Sequence, residues 1–369
     1  AALLAGLPAA PTTYSPFIHP DRARARQETV LFQMKNSNKI SQEEYDQTKE
    51  KEIKFAPPQT TIKAPHFVFY VKEMLVEKYG QQMVERGGLS VTTSLDLKLQ
   101  EKAQEIVKQE ISELERAKVG NGAALINNPK TGEILAMVGS KDYFASDIDG
   151  QFNVTRALRQ PGSAIKPLNY VTGIDTQKIT PATIFADVPT CFTGGPKTYC
   201  PRNYDGLFHG AVQARYALGN SFNIPAVRML KLNGLETFIA SASAAGLDSL
   251  GKRDPADFGL SLTLGGGEVK MTEMATAFST LANLGVRKNL SAILEVKDRN
   301  NKVLEKFSQP NGERVFSMEA SYLITHILND NGARSAAFGA NSSLVIDDHP
   351  EVAVKTGTTN DKRDNWTIG

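Results

Sequence analysis

The chain has 369 residues, 41% of them hydrophobic, with 42 basic and 40 acidic side chains for a formal charge of +2. That length holds two domains, or one domain with a large appendage, and the composition is globular rather than disordered or fibrous. The near-cancelling charge gives no strong field for nucleic acid or an anionic membrane.

The apolar run Ala1–Ala10 is far short of a membrane span and lacks the basic lead of a signal peptide, so neither an anchor nor a signal is read there. Residues 1–36 join that run to a Pro-rich turn, Pro11 to Pro16, and a basic segment, Asp21 to Arg26, leading into Val30, Leu31 and Met34. Ser41-Gln42-Glu43-Glu44 has the pattern of a capping box and predicts a short charged helix to about Lys54. A Pro-rich connector follows, from Ala56 to Pro65. Between Leu97 and Ala117 the residues Leu99, Ala103, Ile106, Val107 and Leu114 recur at helical spacing, which predicts an amphipathic helix packed on a core. Ala123–Ile126 and Glu133–Val138 read as strands joined by the turn Asn128-Pro129-Lys130-Thr131-Gly132.

The only cysteines, Cys191 and Cys200, flank a Gly-Gly-Pro turn that brings them close, and the sequence leaves open a disulfide or two free thiols. Residues 161–282 read as mostly helical with glycine breaks, 291–307 as a strand pair around Asp298–Asn301, and 318–330 as helix. Glu351–Val354 is a short β run ahead of Lys355-Thr356-Gly357-Thr358. The absence of an initial methionine and a stop inside a strand-like run, Asn365–Gly369, predict a piece of a longer protein. Such a stop is expected to leave Val352–Thr358 with an unpaired side and an uncovered apolar face.

Ser163 and Lys166, three residues apart where a loop enters a helix, share one helical face. A serine hydroxyl is a weak nucleophile until a base takes its proton, which a neutral lysine amine does, and the free N–H groups of a helix start suit an oxyanion. Alone the pair means little, because Ser249-Leu250-Gly251-Lys252 repeats it in what reads as a surface loop. Lys-Thr-Gly also occurs twice: at 130–132 it is explained as a hairpin turn, whereas at 355–357 it ends a β run. Ser221-Phe222-Asn223 lies between Ser163 and the second copy, giving the order Ser-x-x-Lys, Ser-x-Asn, Lys-Thr-Gly, which is far more specific than any one member.

With these motifs the sequence resembles class A (bifunctional) penicillin-binding proteins, and so do the flanks Gly88–Asp96, Asn128–Gly139, Asn203–Gly206 and Leu262–Val269. The resemblance implies an α+β fold of the penicillin-binding-protein and serine β-lactamase type, an antiparallel sheet flanked by helices. It also implies that the last strands and C-terminal helix are missing. By the same likeness, 1–36 is a helical remnant of a glycosyltransferase domain, 37–88 a linker region, and 89–369 the transpeptidase domain. Carried over residue by residue, it implies Ser163 as nucleophile, Lys166 as base, Ser221 as proton relay and Lys355 as an assisting cation that also depresses the Lys166 pKa. Asn223 is implied to hold the substrate's peptide amide, Thr356 and Thr358 to receive its terminal carboxylate with Gly357 between them in the binding strand, and the N–H groups of Ser163 and Thr358 to form an oxyanion hole.

The implied activity is D,D-transpeptidation of peptidoglycan stem peptides with release of D-alanine, or carboxypeptidation with water as acceptor. No metal or organic cofactor is called for. The implied partners are stem peptides, the lipid-linked precursor for the whole protein, β-lactams, and proteins of cell-wall synthesis complexes, at the extracytoplasmic (periplasmic) face of the inner membrane. The other readings of the motifs are a β-lactam-binding sensor, a serine β-lactamase, or an inactive fragment. The five histidines stand in no hydrolase or zinc pattern, and His209 reads as a structural turn residue.

Overall fold

The computed structural model describes all residues except 12, 18, 52, 54–61, 146–147, 194–197, 310 and 360–361. The chain divides into two compact units, 1–61 and 62–369. Most of the Pro-rich connector, and the Gly-Gly-Pro turn between the cysteines, lie outside the described residues.

In the first unit three helices run Ala2–Gly6, Pro20–Asn36 and Gln42–Glu50. Pro20 opens its helix, where its missing N–H is no loss. The capping box forms: Glu44 N–H donates to Ser41 Oγ at 3.1 Å, and Ser41 N–H donates to the Glu44 carboxylate at 2.8 Å. That helix stops at Glu50 rather than near Lys54, because Lys51 turns to extended backbone.

The span 37–88 is therefore divided between the two units. Its second half holds the helices Pro65–Tyr79 and Gln81–Arg86. Phe67, Val71 and Leu75, four residues apart on one face, pack against Ile134, Met137, Ala292 and Val296. This cluster supports an antiparallel sheet in which Ile293–Lys297 lies between Ser90–Thr93 and Val303–Lys306. Asp298 makes the turn of the expected strand pair, its Oδ1 accepting the N–H groups of Asn300 and Lys302.

The helix Leu97–Glu113 is capped by Asp96, whose carboxylate accepts Lys98 and Leu99 N–H. Leu99, Ala103 and Val107 pack on the hairpin Ala124–Asn127 with Ile134–Val138, whereas Ile106 and Leu114 point to solvent. Five apolar residues in a row of turns are thus a wider stripe than the hairpin covers.

The largest core surrounds the helix Lys166–Asp175, which is buried over most of its length and packed by Asn223–Asn233, Leu235–Ala245 and Met318–Asn329. The expected helical stretch 161–282 is interrupted by an antiparallel pair, Ile184–Asp187 with Gly210–Gln213. Four residues alternating exposed and buried are too short a run to stand out in sequence. Cys191 and Cys200 form a disulfide, with Phe192 and Tyr199 bridged between them.

Near the chain's end the expected β run Glu351–Val354 is not a strand. Pairing starts at Lys355, and Lys355–Thr358 lies antiparallel to Asn365–Ile368. The apolar face is not uncovered either. Val354 is buried, with its N–H donating to Leu328 O, and Trp366 joins the main core while its Nε1 donates to Gln160 O at 2.9 Å. Among the described residues no further strand pairs with this hairpin.

Candidate active site

Ser163 lies in a 3-10 turn, Gly162–Ile165, that runs directly into the helix beginning at Lys166. With about three residues per turn, such a segment stacks residue i over i+3, which aligns Ser163 with Lys166. Gly162 and Gly357 bring the strand Lys355–Thr358 against this turn. Gly162 has φ +56, and a Cβ there falls 2.5 Å from Thr358 O. One on Gly357 falls on Pro161 O and 2.8 Å from Ala164 N. Backbone therefore meets backbone, and any side chain at either glycine forces the strand away from the serine.

Along the strand, Lys355 and Gly357 are buried while Thr356 and Thr358 alternate with them half-exposed. Ser163 is half-exposed as well, and among the described residues its hydroxyl has no hydrogen-bond partner. Ser221 occupies a left-handed backbone conformation, φ 60, uncommon for a residue with a side chain. It is fixed there by Ser221 N–H to Leu218 O and Phe222 N–H to Ala217 O. The neighbouring Asn220 ties this corner to the helix Asn331–Phe338, donating to Ala333 O and accepting from Ala337 N–H, both at 2.8 Å.

Lys166 is fully buried, its Nζ 2.6 Å from Ser221 O and from Asn223 Oδ1, and 3.3 Å from Ser221 Oγ and from Phe222 O. Lys355 Nζ approaches the same hydroxyl, donating to Ser221 Oγ at 2.9 Å and to Thr356 O at 2.6 Å. Ser221 Oγ thus stands between two buried amines, and among the described residues no carboxylate contacts either. Burial, and next the Lys355 ammonium, hold Lys166 well below the usual lysine range. Burial, and next the Arg334 guanidinium, bring Lys355 down to about 7. A neutral Lys166 has two N–H groups, which the two oxygens at 2.6 Å satisfy, and a lone pair left to take a proton.

Asn223 has its Oδ1 toward Lys166 and donates Nδ2 to Arg202 O at 2.7 Å, so one lone pair of its amide oxygen remains for an incoming N–H. The residues singled out in sequence, Ser163, Lys166, Ser221, Asn223 and 355–358, are thus brought together at one place. The rival copies are not: Ser249 donates to Glu273 on a short helix rather than a loop, and Lys130-Thr131-Gly132 makes the hairpin turn.

Arg334 went unnoticed in sequence, and so did the bonds that link Asn203 and His209 through Asp187. Arg334, only 3% exposed, donates to Asn329 O but has an unpartnered Nε. Asp330, the nearest candidate counter-ion, is engaged by Arg215 through Nε at 3.1 Å and an Nη at 2.5 Å. The Arg334 charge therefore bears on Lys355. An arginine on a polar helix carries no local sign of this. Behind Asn223, its N–H donates to Asn203 Oδ1, Asn203 Nδ2 to buried Asp187, and His209 to that same carboxylate from N–H and Nδ1. His209 also stacks on Phe222, which extends its expected structural role into a brace for the Ser-x-Asn corner.

The family model for the penicillin binding protein transpeptidase domain matches residues 122–367. Penicillin-binding protein 2D of Bacillus subtilis is 31% identical over the whole chain and 53% of its own length. The chain spans about half the length of the curated relatives it matches. Among solved structures, penicillin-binding protein 1A from Haemophilus influenzae superposes with a TM-score of 0.72 at 21% identity, over 99% of this chain and 73% of that one. The PonA1 protein from Mycobacterium tuberculosis, in complex with penicillin V, gives 0.66 at 23% identity, over 83% of this chain and 81% of that one. These structural likenesses carry the fold.

Proposed function

Because the chain belongs to the penicillin-binding protein transpeptidase family, we propose that it acts as a serine D,D-transpeptidase on peptidoglycan stem peptides. The observation that carries the reading is the meeting of two buried amines at one hydroxyl, Lys355 and Lys166 Nζ at 2.9 and 3.3 Å from Ser221 Oγ. Neutral Lys166 takes the Ser163 proton as Oγ bonds to the carbonyl carbon of the penultimate D-alanine. Ser221 passes a proton to the nitrogen of the last D-alanine as the C–N bond breaks and that residue leaves. An amine of a second stem then attacks the acyl-enzyme, the ester bond to Ser163 breaks, and the hydroxyl regains its proton. Water in place of the amine gives carboxypeptidase activity.

In this reading the Lys355 ammonium draws the donor's terminal carboxylate to Thr356 and Thr358, Asn223 accepts from its peptide N–H, and Gly357 keeps the strand within reach of Ser163. Ser163 and Thr358 N–H groups hold the oxyanion. A β-lactam, which presents a strained acyl donor, is expected to acylate the same serine.

For the whole protein we read 1–36 as the end of a glycosyltransferase domain, 37–88 as the connecting region and 89–369 as transpeptidase, so that the complete enzyme also polymerises glycan from a lipid-linked precursor. Extracytoplasmic action fits the Cys191–Cys200 disulfide, and partners in cell-wall synthesis belong to the same reading. The test is incubation with a fluorescent penicillin, followed by denaturing gel and intact mass. A stable adduct on the chain and none on Ser163→Ala supports it. No adduct on either, or rapid hydrolysis of the adduct as in a β-lactamase, overturns it.

A further inference from the structure

Asp187 is fully buried at the end of the strand Ile184–Asp187, whose Phe185 shares the main core with Val212 of the strand paired to it. Its Oδ2 accepts Asn203 Nδ2 at 2.8 Å, His209 N–H at 3.0 Å and His209 Nδ1 at 2.7 Å. Its Oδ1 has no partner among the described residues. A carboxylate on a core strand is thus a fixed acceptor behind the Ser-x-Asn corner.

From there each amide fixes the next. Asn203 Nδ2 also donates to Leu207 O at 2.9 Å, so it meets only oxygens, and Asn203 Oδ1 is left to accept Asn223 N–H at 2.7 Å. Turning this amide over would set its oxygen against a carboxylate and a carbonyl, and its nitrogen against an N–H. With Asn203 held, the carbonyl of the residue before it, Arg202, meets Asn223 Nδ2 at 2.7 Å.

That carbonyl decides the sense of the Asn223 amide. Arg202 O can only accept, so Nδ2 must face it, and Oδ1 then faces Lys166 Nζ at 2.6 Å. The reverse sense fails twice. Asn223 Nδ2 would donate to Lys166 and take up the lone pair that a base needs. It would also offer an N–H where the N–H of a stem peptide needs an acceptor.

We propose that Asp187 is a positioning residue for stem-peptide recognition: through Asn203 and the Arg202 carbonyl it sets which way round the Asn223 amide stands, and so selects acyl donors that carry an N–H there. The proposal rests on the transpeptidase reading above. Asp187 and Asn203 belong to none of the three motifs. What the network uses is an acceptor at the Oδ2 position rather than a charge. An asparagine with its oxygen at that position and its nitrogen at the unpartnered one keeps every bond Asp187 accepts, whereas an alanine loses them all.

The test sets two acyl donors in competition with fluorescent penicillin: acyl-D-alanyl-D-alanine, and the same compound with the N–H of the penultimate residue replaced by an ester oxygen. Their ratio is read only on molecules that bind penicillin, so a loss of folded protein does not move it. The unaltered chain is expected to favour the amide about tenfold, as one hydrogen bond left unmade in a buried site is worth. Asp187→Asn should keep that preference, and Asp187→Ala should bring it to about one and slow penicillin labelling as well. Asn223→Ala should remove the preference too, and adding Asp187→Ala to it should change the ratio no further. Should Asp187→Ala fail to fold, Asn203→Leu breaks the same link and is expected to give the same ratio. A preference kept by Asp187→Ala or Asn203→Leu, one lost in Asp187→Asn, or none in the unaltered chain would overturn the positioning role while penicillin labelling still stands. Loss of penicillin labelling on the unaltered chain would instead overturn the transpeptidase reading, and this role with it.

Discussion

The tripeptide Lys-Thr-Gly stands at 130–132 and again at 355–357, and the two copies share nothing else. In the first, the backbone closes a hairpin turn and the lysine is exposed. In the second, the backbone is a strand laid against the serine turn, and the lysine is 3% exposed within 2.9 Å of Ser221 Oγ. The Ser-x-x-Lys pairs diverge in the same way, Ser249 being tied to Glu273 while the Ser163 hydroxyl, without a hydrogen-bond partner among the described residues, is aligned with a buried lysine. Identical residues thus acquire different chemistry, because burial and neighbours decide whether a lysine is a solvated charge or a base.

The sharpest break in this comparison is Ser163→Ala, which is expected to abolish the penicillin adduct while Ser249→Ala leaves its yield and rate unchanged, both read by intact mass. Next in size, Lys166→Ala should slow acylation by about 10²–10⁴-fold, the usual worth of a general base, whereas Lys130→Ala should change it less than twofold by stopped-flow labelling. An adduct rate lowered equally by both would contradict the distinction drawn here.

The pH dependence sharpens the contrast further. Acylation needs Lys166 without its proton and Lys355 with it, so its rate should fall on the alkaline side as Lys355 deprotonates at about 7. Lys355→Arg keeps the charge and should push that alkaline limb upward. Stability moves the opposite way. Lys355 titrates at about 7 when folded and at 10.5 ordinarily, so between those values the unfolded chain binds more protons and folding is favoured as pH rises. Lys355→Met should flatten that rise in the thermal midpoint, and an unchanged slope would count against the burial argument. Smallest in effect on chemistry is Gly132→Ala. Gly132 has φ +82, and a Cβ there runs into Asn289 O. The change is expected to cost about 1–3 kcal/mol of stability with the acylation rate of the folded protein intact.

Much of the molecule was legible in the sequence where a signal is local. The capping box at Ser41, the amphipathic helix from Leu97, the hairpin around Asn128–Gly132 and the Asp298 turn all depend on residues within a few positions of one another. Illegible elements were those whose stability comes from elsewhere. The four-residue strand Ile184–Asp187 needs its partner at Gly210–Gln213, and Glu351–Val354 reads as a strand although pairing begins only at Lys355. The helix Pro65–Tyr79 was hidden in an expected linker because its apolar face is defined by Met137 and Val296, far along the chain.

By itself the sequence singled out the residues proposed to carry the chemistry, because helical spacing aligns Ser163 with Lys166 and the order of three motifs is specific. Tertiary structure alone decided that Lys166 meets Ser221 across a separation of 55 residues and Lys355 meets it across 134. It alone buried Arg334 where its charge bears on Lys355. The physical reason is that a lysine's pKa is set by the solvent and charges around it in space, and those are fixed only once the core has closed.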